Sequence, residues 1–307
     1  SFIAQNYNLP IDDALYQKTG QKLLEALNKK CGWMYKTRHP TTNTECSITY
    51  TIWSDVFGCP DCGGEIVFWE CAVDEDAKKV RDTIKCPGCG SDGLTKDRLT
   101  RLTDLRFDSL RGKPHAVAKR RPVLIEYIHN RKRLTKKPDA HDLDLLARID
   151  AAVPDTFYPD ISIERDIDLW YERDYRSLGV NNVYDFFSRR ALLTLAAFRH
   201  LVTQLNDARL RTAFGWVMTS VVEGSSLMNR ERPGGMPSKL SGTLYIGALI
   251  REIDPIAFIG RKIKKIRAIL PPKDHLSILS TGSSAVQSEI PPCTVDYVFV
   301  DPPFGSN

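Results

Sequence analysis

The chain lacks any run of the ~18–20 uncharged apolar residues that a spanning helix needs. A helical membrane protein is therefore not expected. Eight cysteines in 307 residues are too few for a disulfide-built scaffold of this size. No internal repeat is visible. The sequence starts at Ser1-Phe2-Ile3-Ala4, which has neither an initiator Met nor a signal peptide's basic and apolar regions. With 42% hydrophobic and 26% charged residues, intrinsic disorder and a collagen-like fibre are not expected either. A cytoplasmic protein with reduced thiols is the expectation. The last residues, Val300-Asp301-Pro302-Pro303-Phe304-Gly305-Ser306-Asn307, stop directly after what reads as an active-site loop, so the chain is expected to be a segment of a longer polypeptide.

A strong overall charge is also missing, but the mean hides its distribution. The chain has 43 Lys+Arg against 38 Asp+Glu, a net +5. Residues 111–137 hold ten Lys and Arg and the single acid Glu126, a net +9 that leaves the remainder at −4. Two basic knots, Lys119-Arg120-Arg121 and Arg131-Lys132-Arg133 with Lys136-Lys137, flank the apolar stretch Pro122–Ile128. That stretch reads as a strand, turned back at His129-Asn130-Arg131 into a second, basic strand. A hairpin is expected to bring both knots to one end or face, where they would attract a phosphate backbone by counterion release. A solvated hairpin face is the competing reading.

Helical spacing of Leu15, Leu23, Leu24 and Leu27, with Asp12 or Asp13 as cap, predicts a helix over 12–30 that Cys31-Gly32 ends. Ser47–Trp53 alternates like a strand. A short amphipathic helix is predicted over Asp139–Ala152, closed by Pro154. Residues 154–182 read as irregular, 184–222 as strongly helical, Ser225–Gly242 as a flexible loop, and Arg251–Ile269 as helical for part of its length. Two short strands, Leu276–Leu279 and Val295–Val300, are predicted to close the chain.

Cys59-Pro-Asp-Cys62 and Cys86-Pro-Gly-Cys89 are two C-x-x-C knuckles, each followed by glycine. Two residues between ligands let the chain turn so that both sulfurs face one ion, and four thiolates complete a tetrahedral Zn²⁺ site. Glycine just after the second sulfur permits the left-handed backbone that aims amides at the thiolates. Glu65–Trp69 reads as a ribbon strand between the knuckles. Cys59, Cys62, Cys86 and Cys89 are the predicted ligands of a structural zinc; two disulfides or a redox pair are the alternatives. Cys31, Cys46, Cys71 and Cys293 lack the spacing and read as ordinary thiols.

The apolar run from Val295 ends in Asp301-Pro302-Pro303-Phe304. Neither proline offers an N–H, so the chain must leave a sheet there as a stiff loop, delivering Asp301 at the strand's carboxyl end. This arrangement suits methylation of an exocyclic amino group, whose lone pair is delocalised into a base ring. The Asp301 carboxylate and the Pro302 carbonyl would accept from the two N–H groups and favour a tetrahedral nitrogen. Pro303 would stiffen the loop, and Phe304 would stack on an extruded base. A strand ending in a Pro-rich turn is the plain alternative.

Asp301-Pro302-Pro303-Phe304 resembles the catalytic motif of S-adenosylmethionine-dependent DNA amino-methyltransferases. The stretches Ser1–Asp12, Asp185–Leu195 and Ser241–Ile246 resemble segments of a bacterial and archaeal branch of that family that also carries a zinc ribbon. The resemblance is scattered over the chain, and only the terminal motif and the cysteines are specific. It implies an α/β fold: part of a Rossmann-like methyltransferase with an inserted zinc ribbon and a helical region. Residues 1–56 would then end the cofactor-binding half, 57–100 form the ribbon, and 101–182 a basic insert that contacts DNA. A helical region would span 183–274, and the catalytic half would begin at 275–307. Implied partners are double-stranded DNA, the remainder of the polypeptide and a restriction-system component. Adenine N6 is the preferred target over cytosine N4. The family's Gly-rich cofactor turn has no equivalent here, so S-adenosylmethionine would bind mostly outside this chain.

Overall fold

The computed structural model describes residues 2–163, 168–240, 242–272, 274, 276–277, 290–291 and 293–299. One long strand, Glu45–Gly58, is its spine. At ~3.3 Å per residue it runs about 46 Å. Along one edge it pairs in turn with Lys36–Arg38, Leu249–Ile253 and Glu65–Val67. Along the other it pairs with Arg120–His129 and then Thr100–Arg101. Every named strand pair among the described residues is antiparallel. The fold is thus mixed α/β with an antiparallel sheet.

A helical layer meets the sheet at Thr51 and Glu252, through Arg190. It is built from Asp13–Cys31, Arg189–Thr203, Ala208–Val222 and Pro255–Arg267. Asp12 caps the first of these by accepting from the Leu15 N–H at 2.9 Å, as its sequence position predicts. Tyr16, Leu27, Phe198, Phe214, Val217 and Ile259 are fully buried in the shared core. The expected first and fourth segments of the chain therefore share one core.

Several expectations need correction. Residues 184–222 are helical as expected and need only a finer description: a hairpin of two helices, broken between Thr203 and Ala208 and started by a short 3-10 turn, Val183–Phe186. Arg251 belongs to a strand, Leu249–Ile253, and helix begins only after Asp254 caps it and Pro255 fixes its first position. Glu65–Trp69 is strand only to Val67, after which Phe68–Ala72 turns helical to bury Phe68 and Trp69. Of the predicted strand Val295–Val300, Val300 lies outside the described residues, and Val295–Phe299 is not in a strand: Tyr297, Val298 and Phe299 are exposed, and no strand pairs with them among the described residues. Leu276 and Ser277 are likewise irregular.

A hairpin absent from the sequence reading, Thr103–Asp108 with Lys113–Ala118, lies beside the short helix Tyr175–Leu178. Gly179 ends that helix at φ +74°, a left-handed conformation that glycine adopts freely. A Cβ there would clash with the Ala116 carbonyl and lie 2.7 Å from the Val117 Cα. Gly179→Ala is expected to lower stability by about 2 kcal/mol or more, combining αL strain with backbone overlap. Urea unfolding checks this, and an unchanged midpoint would contradict the packing.

Candidate metal centre

The first knuckle forms where the spine strand ends at Gly58. The Gly63 N–H donates to the Cys59 carbonyl at 2.9 Å, and the Cys59 N–H to the Gly64 carbonyl at 2.9 Å. The second knuckle repeats the pattern: the Gly90 N–H donates to the Cys86 carbonyl at 3.0 Å, and the Cys86 N–H to the Ser91 carbonyl at 2.8 Å. Gly63 and Gly90 sit at φ +70° and +76°, as expected of the residue after each second cysteine. The antiparallel bridge Ile84–Leu94 closes the second loop. Ile66, Phe68, Ala72, Ile84, Leu94 and Leu99 give this unit a small core.

The four Sγ atoms lie within 4.8 Å of one another. Cys59–Cys89 and Cys62–Cys86 are each separated by 3.8 Å. A tetrahedron with metal–sulfur bonds of about 2.3 Å has sulfur–sulfur edges of about 3.8 Å, so the spacing fits a metal and is far beyond a disulfide bond. All four cysteines are free thiols. The Gly64 N–H points at the Cys62 sulfur from 3.4 Å. The Cys89 and then Gly88 N–H groups pull the Cys86 thiol down to about 7, against desolvation. These four residues could hold a metal ion such as zinc. Of the other cysteines, Cys31 and Cys46 are buried, Cys71 is half-buried and Cys293 is exposed.

The basic hairpin forms as expected, with Arg120–His129 paired to Lys132–Lys136. Asn130 and Arg131 make a two-residue turn at φ +48° and +62°. The knots are not brought to one end. Lys132–Lys136 reaches back only to Ile125, so Lys119-Arg120-Arg121 lies at the opposite end of the strand. There the charges are largely engaged. Arg120 and Arg101 both donate to the fully buried Asp55, at 2.9 and 3.0 Å. Lys119 and Arg121 each donate to a different oxygen of Glu65, at 2.5 Å. Arg131, Lys132 and Arg133 are exposed at the tip, with Arg133 3.6 Å from Glu126. The terminal motif Asp301, Pro302, Pro303 and Phe304 lies outside the described residues.

Sequence reasoning missed a charged cavity of about 230 Å³ between the sheet, the Thr103–Ala118 hairpin and the start of helix Arg189–Thr203. Its walls include the pair Arg190–Glu252, each 3% exposed. Glu252 also accepts from Trp53 Nε1 at 2.6 Å and from the Ser188 hydroxyl. Arg190 reaches Thr51 Oγ1 at 2.8 Å. Arg111 bridges Asp108 and Asp185, and Arg189 donates to Asp108 at 2.8 Å. The signal available in the sequence was Ser188-Arg189-Arg190 at a helix start, paired with a glutamate in the apolar strand Leu249–Ile253.

No described helix is long and apolar enough to cross a membrane. No protein-family model matches the chain, and no curated protein or solved structure matches it.

Proposed function

We propose that this chain is part of an S-adenosylmethionine-dependent DNA amino-methyltransferase, supplying a zinc-bearing insert and the catalytic loop. The observation that carries the reading is Asp301-Pro302-Pro303-Phe304 directly after the apolar run Val295–Val300. Asp301 and the Pro302 carbonyl would hold the target amino group, with adenine N6 favoured over cytosine N4. The four-cysteine cluster and the exposed tip Arg131-Lys132-Arg133 support a nucleic-acid context. Zinc is the metal we assign, since an all-thiolate tetrahedral set suits it.

The described residues do not form a cradle for S-adenosylmethionine. The glycines that follow a strand closely serve other turns: Gly63 and Gly64 belong to the first knuckle, and Gly112 to the turn between Thr103–Asp108 and Lys113–Ala118. A Rossmann-like sheet and the cofactor loop would have to come from flanking sequence. The antiparallel sheet is consistent with an insert between the two halves of such an enzyme.

The test uses a polypeptide that includes the flanking sequence, duplex DNA and radiolabelled methyl donor. Asp301→Ala is expected to reduce transfer at least a hundredfold while DNA affinity changes less than twofold, in the range typical of losing a preorganised acceptor. Near-normal transfer by the variant would sink the reading.

A second reading is favoured by the cysteine cluster itself: a zinc-ribbon nucleic-acid-binding module without catalysis. DNA binding without any calorimetric signal for S-adenosylmethionine would favour it. Transfer to RNA or protein in competition with DNA would redirect the substrate assignment.

A further inference from the structure

Three arginines that line the charged cavity, one from the sheet and two from the helix start, each keep one donor unmatched. Arg120 Nη2, Arg189 Nη1 and Arg190 Nε are buried and have no hydrogen-bond partner among the described residues. All three residues line the same cavity. Arg190 is 97% buried, since it is only 3% exposed. Buried polar groups are almost always satisfied, so three unmatched guanidinium N–H groups around one space call for an acceptor.

A second, independent element points the same way. Helix Arg189–Thr203 begins at this cavity, with Ser188 as its cap. Its first-turn N–H groups have no intrahelical acceptor, and the positive end of its dipole faces anything bound beside Ser188. The carboxylates nearby do not fill the role. Asp108 is held by Arg111 and Arg189, Asp185 by Arg111, Glu252 by Arg190, and Asp150, which also lines the cavity, faces Arg106 at 4.0 Å. Each is already matched to a cation.

We propose that this cavity is a phosphate-binding site, in which Arg120, Arg189, Arg190 and the amino end of helix Arg189–Thr203 hold the oxygens of a phosphate group. Planar guanidinium forks suit phosphate oxygens. The volume of about 230 Å³ exceeds a bare phosphate and leaves room for part of an organic substituent. Phosphate bound to a free nucleotide and the phosphodiester of a nucleic acid share this chemistry. The inference does not depend on the methyltransferase reading, because no wall residue belongs to the Asp301 motif.

The test titrates the 307-residue chain with inorganic phosphate, adenosine monophosphate and a 12-base-pair duplex in parallel, using calorimetry and phosphorus NMR. Arg189→Gln is the probe, since Asp108 keeps Arg111 when Arg189 is lost, and circular dichroism checks its fold. Saturable binding of phosphate or the mononucleotide, weakened at least tenfold by Arg189→Gln, is the expected result and identifies a free ligand. Binding of the duplex alone with the same sensitivity supports the site and assigns it to a nucleic-acid backbone. Binding by none of the three, or binding indifferent to Arg189→Gln, overturns the proposal. Hydrogen exchange on the wild-type chain supplies a variant-free check. Phosphate should protect the first turn of helix Arg189–Thr203, and protection found only elsewhere would also overturn it.

Discussion

Cys62→Ser is expected to empty the metal centre and unfold the unit around residues 59–99, while the helical layer stays intact. Cys62 is exposed, so the substitution opens no cavity, and the loss reports ligation alone. Structural zinc in comparable small units contributes about 10–16 kcal/mol of apparent folding free energy near neutral pH. The unit's own core has nothing of that size to set against the loss. Ile66, Ala72, Ile84 and Leu94 are fully buried, but most of the loop from Glu75 to Lys85 is exposed. Wild-type chain should carry close to one zinc per molecule by elemental analysis. In the variant, zinc should fall to background and trypsin should cut first between Lys78 and Lys85. Metal-free wild-type protein purified with zinc present would refute the centre. Acid should mimic the variant, because protons compete with the metal for thiolates.

The second large effect is expected at Glu252. With Arg190 it ties the spine strand and Leu249–Ile253 to the helical layer, both partners being almost fully buried. Glu252→Ala leaves a buried guanidinium without its counter-charge, and a loss of about 3–5 kcal/mol is expected. Arg190→Met combined with Glu252→Leu should recover much of that loss, because an apolar pair escapes the desolvation penalty. Chemical denaturation of the two single variants and the double variant measures the coupling. Additive losses would mean that the pair is not the unit described.

The pair also sets a pH dependence. Burial alone would raise the Glu252 carboxyl, but Arg190, with help from Ser188 and Trp53, holds it below the ordinary value of 4.5. A carboxyl depressed on folding stabilises fully above its unfolded value. That contribution fades as pH falls from about 4.5 toward the lower folded value. Wild-type stability should therefore drop below about pH 4.5 more steeply than that of the double variant.

The knuckles were legible because their spacing and their glycines are local requirements that no distant contact overrides. The capped helix after Asp12 and the hairpin turn at Asn130-Arg131 were legible for the same reason. What escaped was set by partners far away in sequence. Leu249–Ile253 alternates too briefly to announce a strand, and it becomes one because Ser54–Tyr50 offers it an edge. The knots at 119–121 and 131–133 look alike as charge runs. One is absorbed by Asp55 and Glu65, acids that only the fold brings near. Val295–Phe299 has the composition of a strand but no described neighbour to pair with, and composition alone does not supply one.

The spine strand has a consequence for the order in which the chain folds. Its carboxyl end pairs with Glu65–Val67, a few residues on, so the ribbon can close early during synthesis. Its middle waits for Arg120–His129, and the opposite edge waits for Leu249–Ile253. Until that last segment emerges, the strand has a bare edge, and the helix Asp13–Cys31 still lacks Pro255–Arg267, one of the two helices it packs against most. Long-range pairing of this kind is slow and leaves sticky intermediates. Truncation before Leu249 should therefore yield a chain with a formed metal ribbon and an aggregating remainder.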